Sequence, residues 1–286
     1  MRNSSWNAWR RRATDHVASL LMGLAALIVL FPLVAILGYL IYRGAAALNW
    51  NFFTQLPHAV GESGGGMANA ITGSGLILAI AAALGVPIGV GAGVYLSEFS
   101  RGRFTHAVRF TADVLNGVPS IVIGLTAYSF VVLRQHHFSA IAGGVALAIM
   151  MIPTITRTTE EALRMVPGSV REAALGLGIL EWRTVFSIVL PAARSGIITG
   201  MMLAFSRVAG ETAPLLFTAF GNQFWNLNPA QPTAALPLQI FVYAISPYEE
   251  WHRLAWAGAL VLIILIAGTV TFVRLVTTQR LLKGVA

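Results

Sequence analysis

Spanning the roughly 30 Å hydrocarbon layer of a bilayer takes about 20 mainly apolar residues. Six stretches of this 286-residue chain meet that length: 17–42, 69–96, 111–133, 138–156, 196–220 and 254–276. With 56% hydrophobic residues, 10% charged residues and a mean hydropathy of +0.73, the chain lies outside the range of soluble globular domains. The expected fold class is all-α: a polytopic membrane protein of six transmembrane helices, with lipid as the solvent for most of its surface. The first stretch follows Arg10, Arg11 and Arg12, as a signal peptide's apolar core would. It is far longer than the 7 to 15 residues of such a core, so a retained helix is expected.

The cations set an orientation. With the N-terminus in the cytoplasm, fifteen cations fall inside: Arg2, Arg10, Arg11 and Arg12, then Arg101, Arg103 and Arg109, the five arginines of 157–194, and Arg274, Arg280 and Lys283. Three fall outside: Arg43, Arg134 and Arg253. The positive-inside rule therefore places both termini in the cytoplasm. The same rule accounts for the net charge of +8, because the cations are scattered between apolar segments rather than lining one face. Nucleic acid is not an expected partner. Residues 1–16 and 277–286 read as cytoplasmic tails around a membrane domain of 17–276. Its core is 69–276, and 157–195 forms a cytoplasmic loop within it. The longer external connections are 43–68, with the flexible run Gly64-Gly65-Gly66, and 221–253, with four prolines. Pro87 and Pro119 fall inside apolar spans, where a kink is tolerated only against protein or water.

The insert between Arg157 and Arg194 has the pattern of short helices. Thr158 with Glu161 and Ser169 with Glu172 each fit the S/T-x-x-E capping box, so a helix is predicted to begin at Val170. It carries Glu172, Ala173 and Ala174, and Gly176 and Gly178 then permit a tight turn. A second short helix with Trp182, Val185, Phe186 and Val189 is predicted to run to Pro191. An interfacial pair of helices resting on the bilayer is one use of such a segment.

Glu172-Ala173-Ala174, three residues, Gly178, nine residues, Ile188, one residue, Leu190-Pro191 resembles the EAA loop of binding-protein-dependent ABC importer permeases. Further stretches resemble the phosphate importer permeases of the PstA type over about residues 60–275: GGGMANAITGS (64–74), GVPIGVGAGVYLSEF (85–99), NGVPSIVIGL (116–125) and SRVAGETAPLLFTA (206–219). The resemblance implies the type I ABC importer permease fold and a coupling helix formed by Glu172, Ala173, Ala174, Gly178, Ile188, Leu190 and Pro191. It also implies a set of partners: a second permease (PstC-like), a dimeric cytoplasmic ATPase (PstB-like) and an extracytoplasmic phosphate-binding protein (PstS-like). The cargo implied is phosphate, and the location the bacterial cytoplasmic membrane.

One cation lies inside an apolar span. Arg207 stands about ten residues into the stretch that begins near Gly196, hence about 15 Å deep at about 1.5 Å per residue. Glu211 follows at i+4, on the same face of a continuous helix. Such intramembrane groups face a bundle interior or a watery cavity. Either the two form a stabilising ion pair, or with the Thr212 hydroxyl they line a phosphate pathway. A guanidinium offers bidentate donors to phosphate oxygens, and a carboxylate can accept the proton that phosphate retains and sulfate lacks.

The absences narrow the class further. No Walker A sequence is possible, because the one lysine, Lys283, is followed by Gly284, so ATP hydrolysis must reside in a partner and no enzymatic activity is expected. Gly89-x-Gly91-x-Gly93 reads as helix packing. Neither cofactor nor metal is expected: cysteine is absent, and the His136–His137 pair lacks neighbouring carboxylates. Asp113 reads as an acid near a helix N-terminus. The competing functions are a permease for another oxyanion such as sulfate or molybdate, a secondary carrier independent of ATP, and a membrane enzyme or sensor. The last finds no catalytic constellation in the cytoplasmic segments.

Overall fold

A computed structural model describes the backbone of residues 3–59, 62, 64–99 and 102–283, and the side chains of these except 3–10, 13 and 278–283. Of the cations that set the orientation, Arg2 and Arg101 lie outside the described residues, as do the side chains of Arg10, Arg280 and Lys283. The elements in chain order are α1 (Asn3–Ala45), α2 (Trp50–Thr54), α3 (Ala68–Glu98), α4 (Arg103–Gly117) and α5 (Ser120–Ala127). A π-helical turn (Tyr128–Val132) leads to α6 (Leu133–Gln135), followed by α7 (Ala140–Arg164), α8 (Gly168–Gly176) and α9 (Glu181–Thr184). A second π-helical turn (Val185–Val189) joins α9 to α10 (Leu190–Ala209); α11 (Ala213–Leu216), α12 (Leu236–Ala244) and α13 (Glu249–Lys283) complete the chain.

Small residues place α3 and α7 at the centre. Gly85, Gly89 and Gly93 recur every fourth residue, so they share one face of α3. A Cβ at Gly89 would lie 2.7 Å from the Cβ of Ile155, and one at Gly93 would lie 2.5 Å from that of Thr159. Two helices in lipid gain little from apolar burial against each other, and close backbone approach through such residues supplies the packing instead. Gly91 points elsewhere, with open space around it. The packing role expected of this glycine run therefore belongs to Gly89 and Gly93, together with Gly85.

Five helices are long and apolar enough to cross a membrane: Thr14–Ala45, Ala68–Glu98, Ala140–Arg164, Glu181–Ala209 and Glu249–Thr277. The pair Arg103–Gly117 and Ser120–Gln135 is long and apolar enough only when taken together, and it bends by 108°, as a broken span or a re-entrant loop does. The break falls at Val118–Pro119, and Pro119 stands immediately before α5. This is the discontinuity expected there, whereas Pro87 is accommodated within an unbroken α3. The predicted third span, 111–133, is thus divided. Asp113 is the eleventh residue of α4 rather than an N-terminal acid, and it pairs with Arg157 instead, Nε to Oδ1 at 2.8 Å.

The fifth apolar stretch departs most from a simple span. Its helix starts earlier than Gly196 and stops at Ala209, and the residues after Gly210 fold back into the bundle. Leu215, Ala219, Ala235 and Leu238 enter one core with Ile77, Leu147 and Val208. Irregular backbone at membrane depth persists only where protein or water satisfies it, and here side chains of α3 do so. Asn69 donates from Nδ2 to the Asn222 carbonyl at 2.7 Å, and the Leu236 N–H donates to Ser74 Oγ at 2.6 Å.

The connections 43–68 and 221–253 are packed as well. Phe52, Met67, Leu236 and Tyr243 form a second core with the start of α13. Gly64 and Gly65 take positive φ, and the Gly66 N–H donates to Leu56 O at 3.1 Å, so the run predicted to be flexible is a fixed turn.

Candidate functional site

The insert between Arg157 and Arg194 is shorter than its sequence suggests. α7 continues to Arg164, and Thr158 lies inside it with its hydroxyl bonded back to Thr154 O at 2.9 Å. The Thr158–Glu161 capping box does not form, because the buried face of Ile155, Thr159, Ala162 and Leu163 carries the helical period through it. Ser169 is not a cap either: α8 begins at Gly168, behind Pro167, two residues before the predicted start. The second short helix does not stop at Pro191. It runs through the Val185–Val189 π-turn into α10 as one rod, Glu181–Ala209. A proline lacks the N–H of an ordinary helical turn, and the widened turn directly before Pro191 absorbs that loss.

At the far end of α8 the glycine prediction holds. Gly178 has φ +78°, and its N–H donates to Leu175 O at 2.9 Å while the Ile179 N–H donates to Ala174 O at 3.1 Å. These two bonds form the Schellman motif, which closes a helix on a left-handed residue. Ala174 is buried against the bundle, whereas Glu172 and Ala173 are exposed. Leu175, Leu177 (81% exposed) and Leu180 project beside them. Of the remaining motif positions, Ile188 and Leu190 are half-buried at the root of α10, and Pro191 is exposed there. The result is a short apolar knob with one carboxylate, held rigidly beyond the ends of α7 and α10.

Its anchor was not foreseen from sequence. Arg171 forks onto Glu98, the last residue of α3, with Nε to Oε2 at 2.9 Å and Nη2 to Oε1 at 2.6 Å. The same guanidinium donates to Val166 O at 2.7 Å and to Leu163 O at 2.9 Å, at the C-terminal end of α7. The hydrogen bonds that Arg171 donates to the Glu98 carboxylate hold its pKa above the ordinary value, against the opposing effect of burial. A second unforeseen cluster centres on Glu160, 2% exposed, which accepts from Arg109 of α4 and from Arg157 and Arg164 of α7. Only the α7 partners, at i−3 and i+4, leave a trace in the sequence, and it is readable once that helix is known to continue.

Arg207, Glu211 and Thr212 come together at the end of α10, but not as one helical face. Arg207 lies in the last turn of α10, exposed, and Glu211 follows the helix end at Gly210. The two form no ion pair among the described residues, which removes the stabilising intrahelical pair as the reason for Arg207. The depth of ten residues is corrected with the helix start: Arg207 is the eighteenth residue of α10. A cation in the last turn meets the unpaired carbonyls of the helix C-terminus, which offsets part of its desolvation. Thr212 donates to Pro237 O at 3.4 Å. The following turn is pinned by Gly124 of α5, where a Cβ would lie 2.6 Å from Cα of Pro214.

Comparison with known proteins bears on the family and the fold. Residues 85–281 match the model of the binding-protein-dependent transport system inner membrane component family. The chain is 46% identical over 256 residues to the phosphate transport system permease protein PstA of Yersinia pestis, covering 89% of this chain and 86% of that protein. Identity to the PstA of Haemophilus influenzae is likewise 46%, over 96% of this chain and 97% of that one. To PstA 1 of Mycobacterium tuberculosis it is 36%, over 95% and 91%. Among solved structures, a chain of the inward-facing MetNI methionine ABC transporter superposes with a TM-score of 0.58 at 18% identity, covering 77% of this chain and 97% of that one. The fold is thus the all-α ABC importer permease fold expected from the sequence. The chain belongs to the binding-protein-dependent transport system inner membrane component family, among its PstA-type permeases.

Proposed function

We propose that the chain is the membrane-spanning permease subunit of an ATP-driven importer of inorganic phosphate. The observation that carries the class of machine is α8: an exposed knob of Glu172, Ala173, Leu175 and Leu177, closed by Gly178 and held against two membrane helices by Arg171. Such a knob suits the cleft of a cytoplasmic ATPase dimer, which this chain needs because it carries no nucleotide site of its own. The remaining assembly is a second permease of the PstC type and an extracytoplasmic phosphate-binding protein of the PstS type. Both termini and the insert lie in the cytoplasm, in keeping with the loop charges. The membrane domain spans 17–276 between two short tails.

The cargo reading rests on the names of the relatives and on Arg207. An exposed guanidinium with no carboxylate bound to it among the described residues, near the chain positions of Glu211 and the Thr212 hydroxyl, suits transient contact with a protonated oxyanion at the boundary with the second permease. The test is co-purification of the candidate ATPase with this chain and its partner permease. Retention by the unaltered chain and loss on Glu172→Lys or Gly178→Asp is expected. An ATPase that binds all three forms equally contradicts the docking role. Sulfate as competitor in uptake assays separates phosphate from related oxyanions.

A further inference from the structure

α8 is joined by the chain to α7 before it and to α9 and α10 after it, and any movement of α8 reaches those helices through the backbone. α3 has no such connection: Glu98 and Arg171 lie 73 residues apart. Among the described residues Arg171 nevertheless makes all four side-chain hydrogen bonds that leave α8, two to Glu98 and two to the carbonyls of Leu163 and Val166. The pair is enclosed, with Glu98 7% and Arg171 24% exposed, and Ser97 Oγ steadies the carboxylate at 2.8 Å. Beyond Glu98 lies Gly102, at φ +87° with nothing within 4 Å of a Cβ placed there.

We infer that Arg171 is a positioning residue that couples the docking helix to α3, so that α8, α3 and the end of α7 move as one body when the ATPase closes. Bidentate guanidinium–carboxylate contact fixes direction as well as distance, which a lone ammonium does not. The glycine-lined seam between α3 and α7 keeps the two helices in step along their length.

This inference rests on the docking of an ATPase to α8, and the test keeps the two apart. The assembled complex is reconstituted with the unaltered chain, with Glu98→Gln, and with Arg171→Lys. Three quantities are measured: retained ATPase, ATP hydrolysis, and phosphate uptake per ATP hydrolysed. Glu98→Gln removes the charged partner on α3 while leaving the two bonds to the carbonyls of Leu163 and Val166. It should retain the ATPase and its hydrolysis but lower uptake per ATP about five-fold or more, the range of an ordinary coupling free energy. Arg171→Lys should give an intermediate loss. A purely structural role would lower hydrolysis and uptake together and leave their ratio unchanged. An unchanged ratio in Glu98→Gln with the ATPase retained overturns the coupling role of Arg171. Failure of the unaltered chain to retain the ATPase overturns the docking reading itself.

Discussion

Glu160 of α7 accepts from Arg109 of α4 at 2.6 Å while its own side chain is only 2% exposed. Arg157 and Arg164 complete the shell at 3.0 and 2.8 Å, so one buried carboxylate is satisfied by three guanidinium groups. This contact and the Asp113–Arg157 pair hold α4 against α7 on the far side of the 108° bend.

Removing one member of a buried ion cluster leaves the others desolvated and unpaired, at about 3–5 kcal/mol. Glu160→Gln should therefore lower the midpoint of thermal unfolding of the detergent-solubilised chain, by an amount corresponding to the lower part of that range because the arginines keep some solvent. Arg164→Gln, whose side chain is 58% exposed, should cost less than about 1 kcal/mol. Equal midpoints for the two variants would contradict the clamp.

The α3–α7 seam predicts an unequal pair of substitutions two residues apart. Gly89→Ala drives a methyl into Ile155 and should destabilise by about 1–3 kcal/mol. Gly91→Ala meets open space and should be neutral, or stabilising by up to about 1 kcal/mol through helix propensity. Thermal unfolding of the two purified variants decides the matter, and a less stable Gly91→Ala would contradict it.

At the end of α8 the constraint is the backbone rather than space, since nothing lies within 4 Å of a Cβ at Gly178. An L-residue at φ +78° costs about 1–2 kcal/mol. Gly178→Ala should weaken retention of the ATPase, whereas Gly176→Ala, inside the helix and also unobstructed, should leave it unchanged. Pull-down of the ATPase at matched expression gives the comparison.

Much of the fold is readable from apolar length alone, because each span must satisfy its own backbone in lipid. The turn that closes α8 is readable too, since the Glu172 to Pro191 pattern is local and Gly178 states its φ requirement. What hydropathy cannot show is where an apolar run stops being a helix. Residues 196–220 are mainly apolar, yet the chain turns at Gly210, where Pro214 and Leu215 find burial against α5, α3 and α7. The depth and facing of Arg207 and Glu211 changed for that reason. Thr158 and Glu161 misled in the opposite direction: a local capping pattern lost to the buried face of Ile155, Thr159 and Leu163. Arg171–Glu98 and Arg109–Glu160 join residues 73 and 51 positions apart, and only tertiary packing brings them together.

The most direct test of an ATP-driven phosphate pathway through this chain is uptake of radiolabelled phosphate by proteoliposomes holding the complete assembly, with the unaltered chain and with Arg207→Ala. The expected result is ATP-dependent uptake that excess sulfate does not inhibit, abolished by Arg207→Ala while the ATPase stays bound. Undiminished ATP-driven uptake in the Arg207→Ala assembly would contradict the role of Arg207, and the absence of ATP-dependent phosphate uptake by the unaltered assembly would contradict the function itself.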